Sequence, residues 1–236
     1  MTAPDSAPPH LTVLSTIAVK KAFTDGIIDA YTDRTGTPVN TVFEPTPVLL
    51  EKIEAGMRPD VVICTTKALN SAEHARFLDP TTITPLAQVG IGIAVSPTTP
   101  DPDISTVPAF IDTLLAARSV AYSRTGASGT YFAHLIDTLQ IAEEVNSRAT
   151  VINSGFTAET VMDHRADLAV QQLSELNCVP GAKIVGPIPE ALQRSTAFAA
   201  ALTTTAAHRS EARAFLRLLT TQQARQAYRD AGMEPL

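Results

Sequence analysis

The chain has 236 residues, 44% of them apolar, which is enough for one large core or two cores of roughly 100 residues each. A formal net charge of −6 argues against a nucleic-acid surface, which needs clustered Lys and Arg. No apolar run approaches the ~18 residues of a membrane span, so we expect no membrane insertion. Cys64 and Cys178 lie far apart without a CxxC motif, which predicts small buried side chains rather than metal ligands and leaves a disulfide open.

The first ten residues, MTAPDSAPPH, contain no Lys or Arg and no apolar segment, so they do not read as a secretory signal. We expect a short disordered leader. The protein would be cytoplasmic if Met1 is the native start, and periplasmic or extracellular if a signal peptide was removed.

Three strand–cap–helix units follow, with strands expected at residues 11–14, 39–43 and 60–64. Helices are expected at 17–31, with Gly36 as the stop, and at 48–55. Hydroxyl side chains stand between strand and helix in each unit: Ser15, Thr16, Thr46 and Thr65. Parallel strands joined by helices bind ligands beyond their carboxyl ends, so these side chains should share one edge. A single hydroxyl side chain at such a position more often only caps its helix, whereas several on one edge favour a site for an anion.

The stretch SVAYSRTGASGTYFAHLIDTL, residues 119–139, predicts a strand at 119–122, a turn at 123–129 and a helix from about Thr130. Gly126 and Gly129 let a main chain approach a ligand closely. The helix start and Arg124 suit a carboxylate. An ordinary strand-to-helix loop is the plain alternative. The side chains proposed to cap the helix are Ser123, Thr125 and Ser128.

The remaining chain alternates further strands and helices. Strands are expected at 89–96, 150–152 and 196–202, with one more inside 180–189, and residues 166–170 lead into the segment QQLSEL. Helices are expected at 110–117, 141–148, 158–164 and, in two pieces, 210–231.

Five segments taken together resemble one family: LTVLSTIAVKKAF, LLEKIEAGMRPDVVICTT, VAYSRTGASGTYF, ADLAVQQLSEL and KIVGPIPEALQ. They resemble the molybdate-binding-protein-like branch of the type 2 periplasmic binding proteins, and within it a subgroup that includes aconitate isomerase. The resemblance runs from about Leu11 to Pro235. It implies an α/β fold of two lobes, joined by crossing strands near 89–95 and 196–202, with a ligand cleft between them. The first lobe would contain residues 1–88 and 197–236, and the second residues 89–196.

In this family ligand contacts come from helix N-termini of both lobes. The resemblance therefore implies these substrate-binding residues: Ser15, Thr16, Thr46, Ser123, Arg124, Thr125, Ala127, Ser128, Asn153, Ser154, Gly155, Gln171 and Gln172. Two departures disfavour molybdate. Glu44-Pro45-Thr46-Pro47 replaces the family's serine run, and Gln171-Gln172 occupies the part of the chain where the family has a tyrosine. Arg124 and the amides favour a planar carboxylate.

Glu44 is the candidate general base because it should project from a strand end into the cleft. A solvent-facing acid at the rim is the alternative. Glu175 and Ser174 are expected to fix the backbone near the hinge, and Lys20 to be a solvated surface residue. The histidines are scattered and expected to be exposed or packed rather than catalytic: His10, His74, His134, His164 and His208.

Two functions from different classes fit these features. The first is an isomerase that shifts a proton on a small unsaturated polycarboxylate, similar to aconitate isomerase, with no metal or organic cofactor. The second is a solute-binding protein that delivers a small organic or inorganic anion to an ABC transporter permease. A cytoplasmic ligand sensor would use the same fold. The fold alone does not separate these functions, because an isomerase and a binding protein can share it. A transporter's binding protein must be exported, so the missing signal favours the isomerase.

Overall fold

Eleven strands form two separate sheets in a computed structural model that describes residues 10–71, 73 and 76–236. The expected leader, up to residue 9, and His74 lie outside the described residues. The strands are β1 Leu11–Thr16, β2 Val39–Glu44, β3 Val61–Thr65, β4 Thr84–Val89, β5 Ile91–Val95, β6 Val120–Ser123, β7 Thr150–Ile152, β8 Leu168–Gln172, β9 Lys183–Pro187, β10 Thr196–Leu202 and β11 Glu234–Pro235.

The first sheet has six strands in the order β11-β4-β10-β3-β1-β2, and the second has five in the order β7-β6-β8-β5-β9. Strands β1, β2 and β3 pair in parallel, as do β6, β7 and β8. The carboxyl ends of each parallel set therefore lie together, the usual ligand edge of α/β sheets. Two sheets in one mixed α/β chain confirm the two-lobed fold class.

Helices cover both sheets: α1 Lys20–Ala22, α2 Ile28–Thr35, α3 Thr46–Glu54, α4 Thr66–Leu69, α5 Val107–Ala116, α6 Ala127–Thr138, α7 Ala142–Asn146, α8 Ala158–Met162, α9 Leu173–Leu176, α10 Arg209–Leu218 and α11 Gln222–Asp230. A 3₁₀ turn, Ile17–Val19, precedes α1, and a π-helical segment, Phe23–Ile27, joins α1 to α2. The helix expected at 17–31 is thus a series of short segments. It ends at Gly36, the predicted stop, whose φ of 70° is easy only for glycine.

The chain passes between the sheets twice. Gly90 joins β4 of the first sheet directly to β5 of the second, within the expected crossing at 89–95. Residues 188–195 make the return, and β10 then pairs in the first sheet from Thr196 onward. The lobe boundaries at 88/89 and 196/197 stay a prediction.

Apolar side chains fill the space on both faces of each sheet. Phe23, Tyr31 and Phe215 pack edge to face on one side of the first sheet, and Phe110 and Phe132 are fully buried in the second lobe. Both cysteines are free. Among the described residues, no helix has the length and hydrophobicity needed to cross a bilayer.

Candidate functional site

A cavity of about 650 Å³ lies between the two sheets, and its walls come from both lobes and from the return passage. The first lobe contributes Thr16, Ile17, Pro45, Thr46, Pro47, Thr65, Thr66 and Lys67. The second contributes Ile91, Thr125, Gly126, Ala127, Thr130, Tyr131, His134, Gln172 and Glu175, and the return passage with β10 contributes Arg194, Ser195, Thr196, Ala197 and Phe198. Five of the expected substrate-binding residues are among these: Thr16, Thr46, Thr125, Ala127 and Gln172.

The first-lobe wall is built at the ends of β1, β2 and β3. Thr16 Oγ1 accepts a hydrogen bond from the Ala18 N–H at 3.5 Å, and Thr65 Oγ1 accepts one from the Ala68 N–H at 3.3 Å, so both act as helix caps. Thr46 was expected to cap α3 but is its first residue, because the cap position is Pro45. Its hydroxyl instead accepts a hydrogen bond from the Thr65 N–H at 3.4 Å, which links the start of α3 to the end of β3.

The second-lobe wall is built around the start of α6. The cap position is Gly126, with no side-chain cap, so the expected capping by Ser123, Thr125 or Ser128 is wrong. Ser123 Oγ accepts from the backbone N–H groups of Gly126 at 3.1 Å and Thr125 at 3.4 Å, one step upstream of the helix. An added Cβ at Gly129 would lie 1.8 Å from the Ser123 carbonyl oxygen. This glycine serves the packing of α6 on β6, not the close approach of a ligand.

Two helix N-termini of useful length, one from each lobe, open on the cavity. Neither α3 nor α6 has a side-chain cap, and residues of both first turns line the cavity. Free N–H groups and the partial positive charge at a helix start favour a bound anion.

Positive side chains reinforce this polarity. Lys67 and Arg194 line the cavity, and neither makes an ion pair with any described residue. The Arg194 guanidinium stands 5.5 Å from the centre of the Tyr131 ring. Arg124, the cation expected from the sequence, is exposed and outside the cavity lining, with its backbone N–H bonded to the Ile152 carbonyl at 2.8 Å.

The turn at residues 153–155 supports the wall from behind rather than lining it. Thr125 Oγ1 donates to the Asn153 carbonyl at 2.9 Å. Gln171 holds the same turn: its Oε1 accepts from the Thr157 N–H at 2.7 Å, and its Nε2 donates to the Gly155 carbonyl at 3.2 Å. Three more of the expected site residues lie outside the lining, and all three are buried: Ser15, Ser123 and Ser128.

Two buried polar atoms belonging to lining residues have no hydrogen-bond partner among the described residues. They are Thr66 Oγ1 in the first lobe and Gln172 Oε1 in the second, where the Gln172 side chain is 2% exposed. Buried polar atoms are normally paired, so such atoms beside a cavity mark places for a ligand or water. A Gln amide can offer either a donor or an acceptor after a half-turn.

Glu175 is the single acid among the described lining residues, and it is 5% exposed. Burial raises the pKa of its carboxyl to about 8, opposed more weakly by the Gln171 side chain and the Gln172 backbone N–H. Glu44, the expected base, lies outside the lining with its carboxylate 3.6 Å from Lys52 Nζ. Sequence reasoning placed Glu175 at the hinge backbone, although it lies in the QQLSEL segment that carried the resemblance.

Comparison with known proteins gives one family for nearly the whole chain. A family model described as bacterial extracellular solute-binding protein matches residues 11–234. The aconitate isomerase of a Pseudomonas species is 33% identical over an alignment of 232 residues that covers 96% of this chain and 88% of that protein.

Solved structures show the same fold at much lower identity. The periplasmic molybdate-binding protein of Azotobacter vinelandii has a TM-score of 0.76 at 16% identity, covering 95% of this chain and 98% of that one. The sulfate-binding protein of Mycobacterium tuberculosis has a TM-score of 0.73 at 15% identity, covering 97% and 87%. These two likenesses concern the fold and not the ligand.

Proposed function

Because this chain belongs to the family of bacterial extracellular solute-binding proteins, we propose that it holds a small unsaturated polycarboxylate between its lobes and shifts a proton on it, as an aconitate isomerase would. The reaction class comes from the 33% identity to an aconitate isomerase across nearly the full length of both chains.

The observation that carries the proposal is the charge of the cavity. Lys67 and Arg194 bring two cations without carboxylate partners among the described residues, while the single lining acid, Glu175, has a pKa of about 8 and is mostly neutral at pH 7. The cavity is therefore positive within a chain of net charge −6. Charge-assisted hydrogen bonds from a guanidinium to a carboxylate are the strong kind.

Size and distribution of the polar groups support the same ligand. A volume of about 650 Å³ lies within the ~300–1,000 Å³ of typical small-molecule sites. Cations and uncapped helix starts approach from different sides, since Lys67 and α3 belong to the first lobe, α6 to the second and Arg194 to the return passage. A ligand with several separated carboxylates uses such an arrangement better than a compact oxyanion does.

A second function uses the same site without turnover. The family description and the molybdate- and sulfate-binding neighbours favour a solute-binding protein that presents an organic or inorganic anion to an ABC transporter permease. The identity of the ligand and the absence of any metal or cofactor stay predictions under both functions.

The test is a proton NMR time course on cis- and trans-aconitate with purified protein. We expect each isomer to convert to the same equilibrium mixture at a rate proportional to protein concentration. Calorimetry with both isomers, sulfate and molybdate runs beside it. Tight binding of any of these anions without conversion would favour the solute-binding function over the isomerase.

A further inference from the structure

We infer that Glu175 is the catalytic residue of this cavity, taking the proton from the bound polycarboxylate and returning it to another carbon. The inference rests on the proposed isomerase function and names its base. It replaces Glu44, whose carboxylate is paired with Lys52 outside the cavity lining.

The position of α9 brings Glu175 to the ligand. This helix follows β8 in the second lobe and packs against the 3₁₀ turn Ile17–Val19 and α1 of the first lobe, as well as β5. Its acid thus lies where the two lobes meet, 5% exposed and lining the cavity beside Gln172. A ligand held in the cavity between the lobes would therefore contact Gln172 and Glu175.

The surroundings of Glu175 suit a proton carrier. Across the cavity stand Lys67, His134 and Arg194, which line it from α4, α6 and the return passage. On the packed side, α9 lies against α1, and Glu175, Lys20 and Lys21 all act on the thiol of Cys178, the residue two positions after α9. Burial is the first cause of the raised pKa of Glu175, so both its forms are present near neutral pH. A general base works best when its pKa lies near the working pH.

The unpartnered Gln172 Oε1 strengthens the assignment independently of any titration. This amide adjoins α9 at its cap position and is 2% exposed, yet its oxygen finds no partner among the described residues. Turned over so that its Nε2 donates, an amide beside an acid can hold one substrate carboxylate while the acid faces the neighbouring carbon.

The reaction balances with no other reactant. The Glu175 carboxylate removes one proton from the allylic CH₂ of the substrate. The electron pair of that C–H bond becomes the new C=C bond to the central carbon, and the former C=C pair moves onto the far carbon. That carbon takes a proton back from the protonated Glu175, which restores the carboxylate. Because one group serves both carbons, both transfers occur on the same face, and the Lys67 and Arg194 cations stabilise the delocalised anion between them.

The experiment compares wild type with Glu175→Gln, which keeps the shape and removes the proton-accepting oxygen. We expect the variant to bind trans-aconitate with affinity close to wild type and to interconvert the isomers at least about a hundredfold more slowly. Deuterium incorporation into substrate in D₂O should fall with it. Glu143→Gln on the exposed surface of α7 is the matched control and should convert at the wild-type rate.

A second readout separates catalysis from support of the fold. Wild-type kcat/KM should rise as pH increases through about 8, the pKa of Glu175, since the ionised form is the base. Glu175→Asp keeps an acid on a shorter side chain and should restore part of the rate, with circular dichroism confirming that both variants fold.

Each remaining outcome overturns a different statement. If wild type binds but does not convert aconitate, the isomerase function fails, and the inference fails with it. If wild type and Glu175→Gln are equally active, the function stands and Glu175 is the wrong residue; loss of activity in Glu44→Gln would then restore the base expected from the sequence. If Glu175→Gln abolishes binding as well as turnover, Glu175 is a binding residue and not the base.

Discussion

Arg194 shows how much of the site is decided by single side chains. It precedes β10 by two residues, lines the cavity with its guanidinium 5.5 Å from the centre of the Tyr131 ring, and makes no ion pair with any described residue. Arg124, the cation expected from the sequence, occupies a turn beside α6 but is exposed and outside the lining. The difference is one of position, because both residues carry the same charge and donors.

We expect Arg194→Gln to weaken aconitate binding by roughly tenfold. A charge-assisted hydrogen bond is worth about 1.5–3 kcal/mol when desolvated, and the exposure of Arg194 places it at the lower end. Calorimetry measures the change, with Arg217→Gln on the exposed face of α10 as control. The sequence-based prediction assigns the loss to Arg124→Gln instead, so a loss confined to that variant would remove Arg194 from the site.

At the scale of elements, the two passages between the lobes are tied together by one amide. Gln193 Oε1 accepts from the backbone N–H groups of Ile91 at 2.7 Å and Arg194 at 3.0 Å, and its Nε2 donates to the Ile91 carbonyl at 2.8 Å. An added Cβ at Gly90 would lie 3.0 Å from this amide, so any larger residue there would push the Gln193 side chain away by a few tenths of an ångström. These hydrogen bonds hold the return passage, and Arg194 with it, beside the start of β5.

Replacing Gln193 by Ala should lower the free energy of unfolding by about 1–3 kcal/mol, because the buried Ile91 N–H loses its partner. Faster hydrogen exchange should be confined to residues 90–92 and 188–195. Urea unfolding and exchange mass spectrometry measure the two effects, with Gln223→Ala on α11 as control. Exchange unchanged at Ile91 would show that this amide does not hold the passages together.

At the scale of the whole molecule, burial of the Glu175 carboxyl lowers the stability of the fold when that carboxyl is ionised. Glu175 is buried against the junction of the lobes, with a pKa of about 8 in the folded state against 4.5 as the ordinary value. Between these two pH values the folded protein holds more protons than the unfolded chain, so stability falls as pH rises. The loss is absent below about pH 4.5 and complete above about pH 8.

Glu175→Gln should therefore be more stable than wild type at pH 9 and closer to it at pH 4.5. The slope for one such group reaches at most about 1.4 kcal/mol per pH unit, giving a difference on the order of a few kcal/mol. Urea unfolding of both proteins across this pH range measures it. Parallel stability curves would show that the Glu175 carboxyl is not buried in its neutral form.

By itself the sequence determined the local elements. Apolar periodicity located residues 150–152 and 196–202 as the strands that are observed, and Gly36 as the end of α2. The repeated strand–hydroxyl–helix units, with the family resemblance, gave two α/β lobes and brought Thr16, Thr46 and Thr125 to the cavity. These features depend on neighbours a few residues apart in the chain, where spacing and conformational preference act directly.

Only the tertiary structure decided which charges face the ligand. Glu175 faces the cavity because α9 packs against the first lobe, and Arg194 because Gln193 ties the return passage to Ile91. Residues 44 and 124 had suitable chemistry at suitable strand ends, yet Glu44 pairs with Lys52 and both residues lie outside the cavity lining. For Glu175 and Arg194, the deciding contacts join segments about a hundred or more residues apart, which local periodicity does not encode.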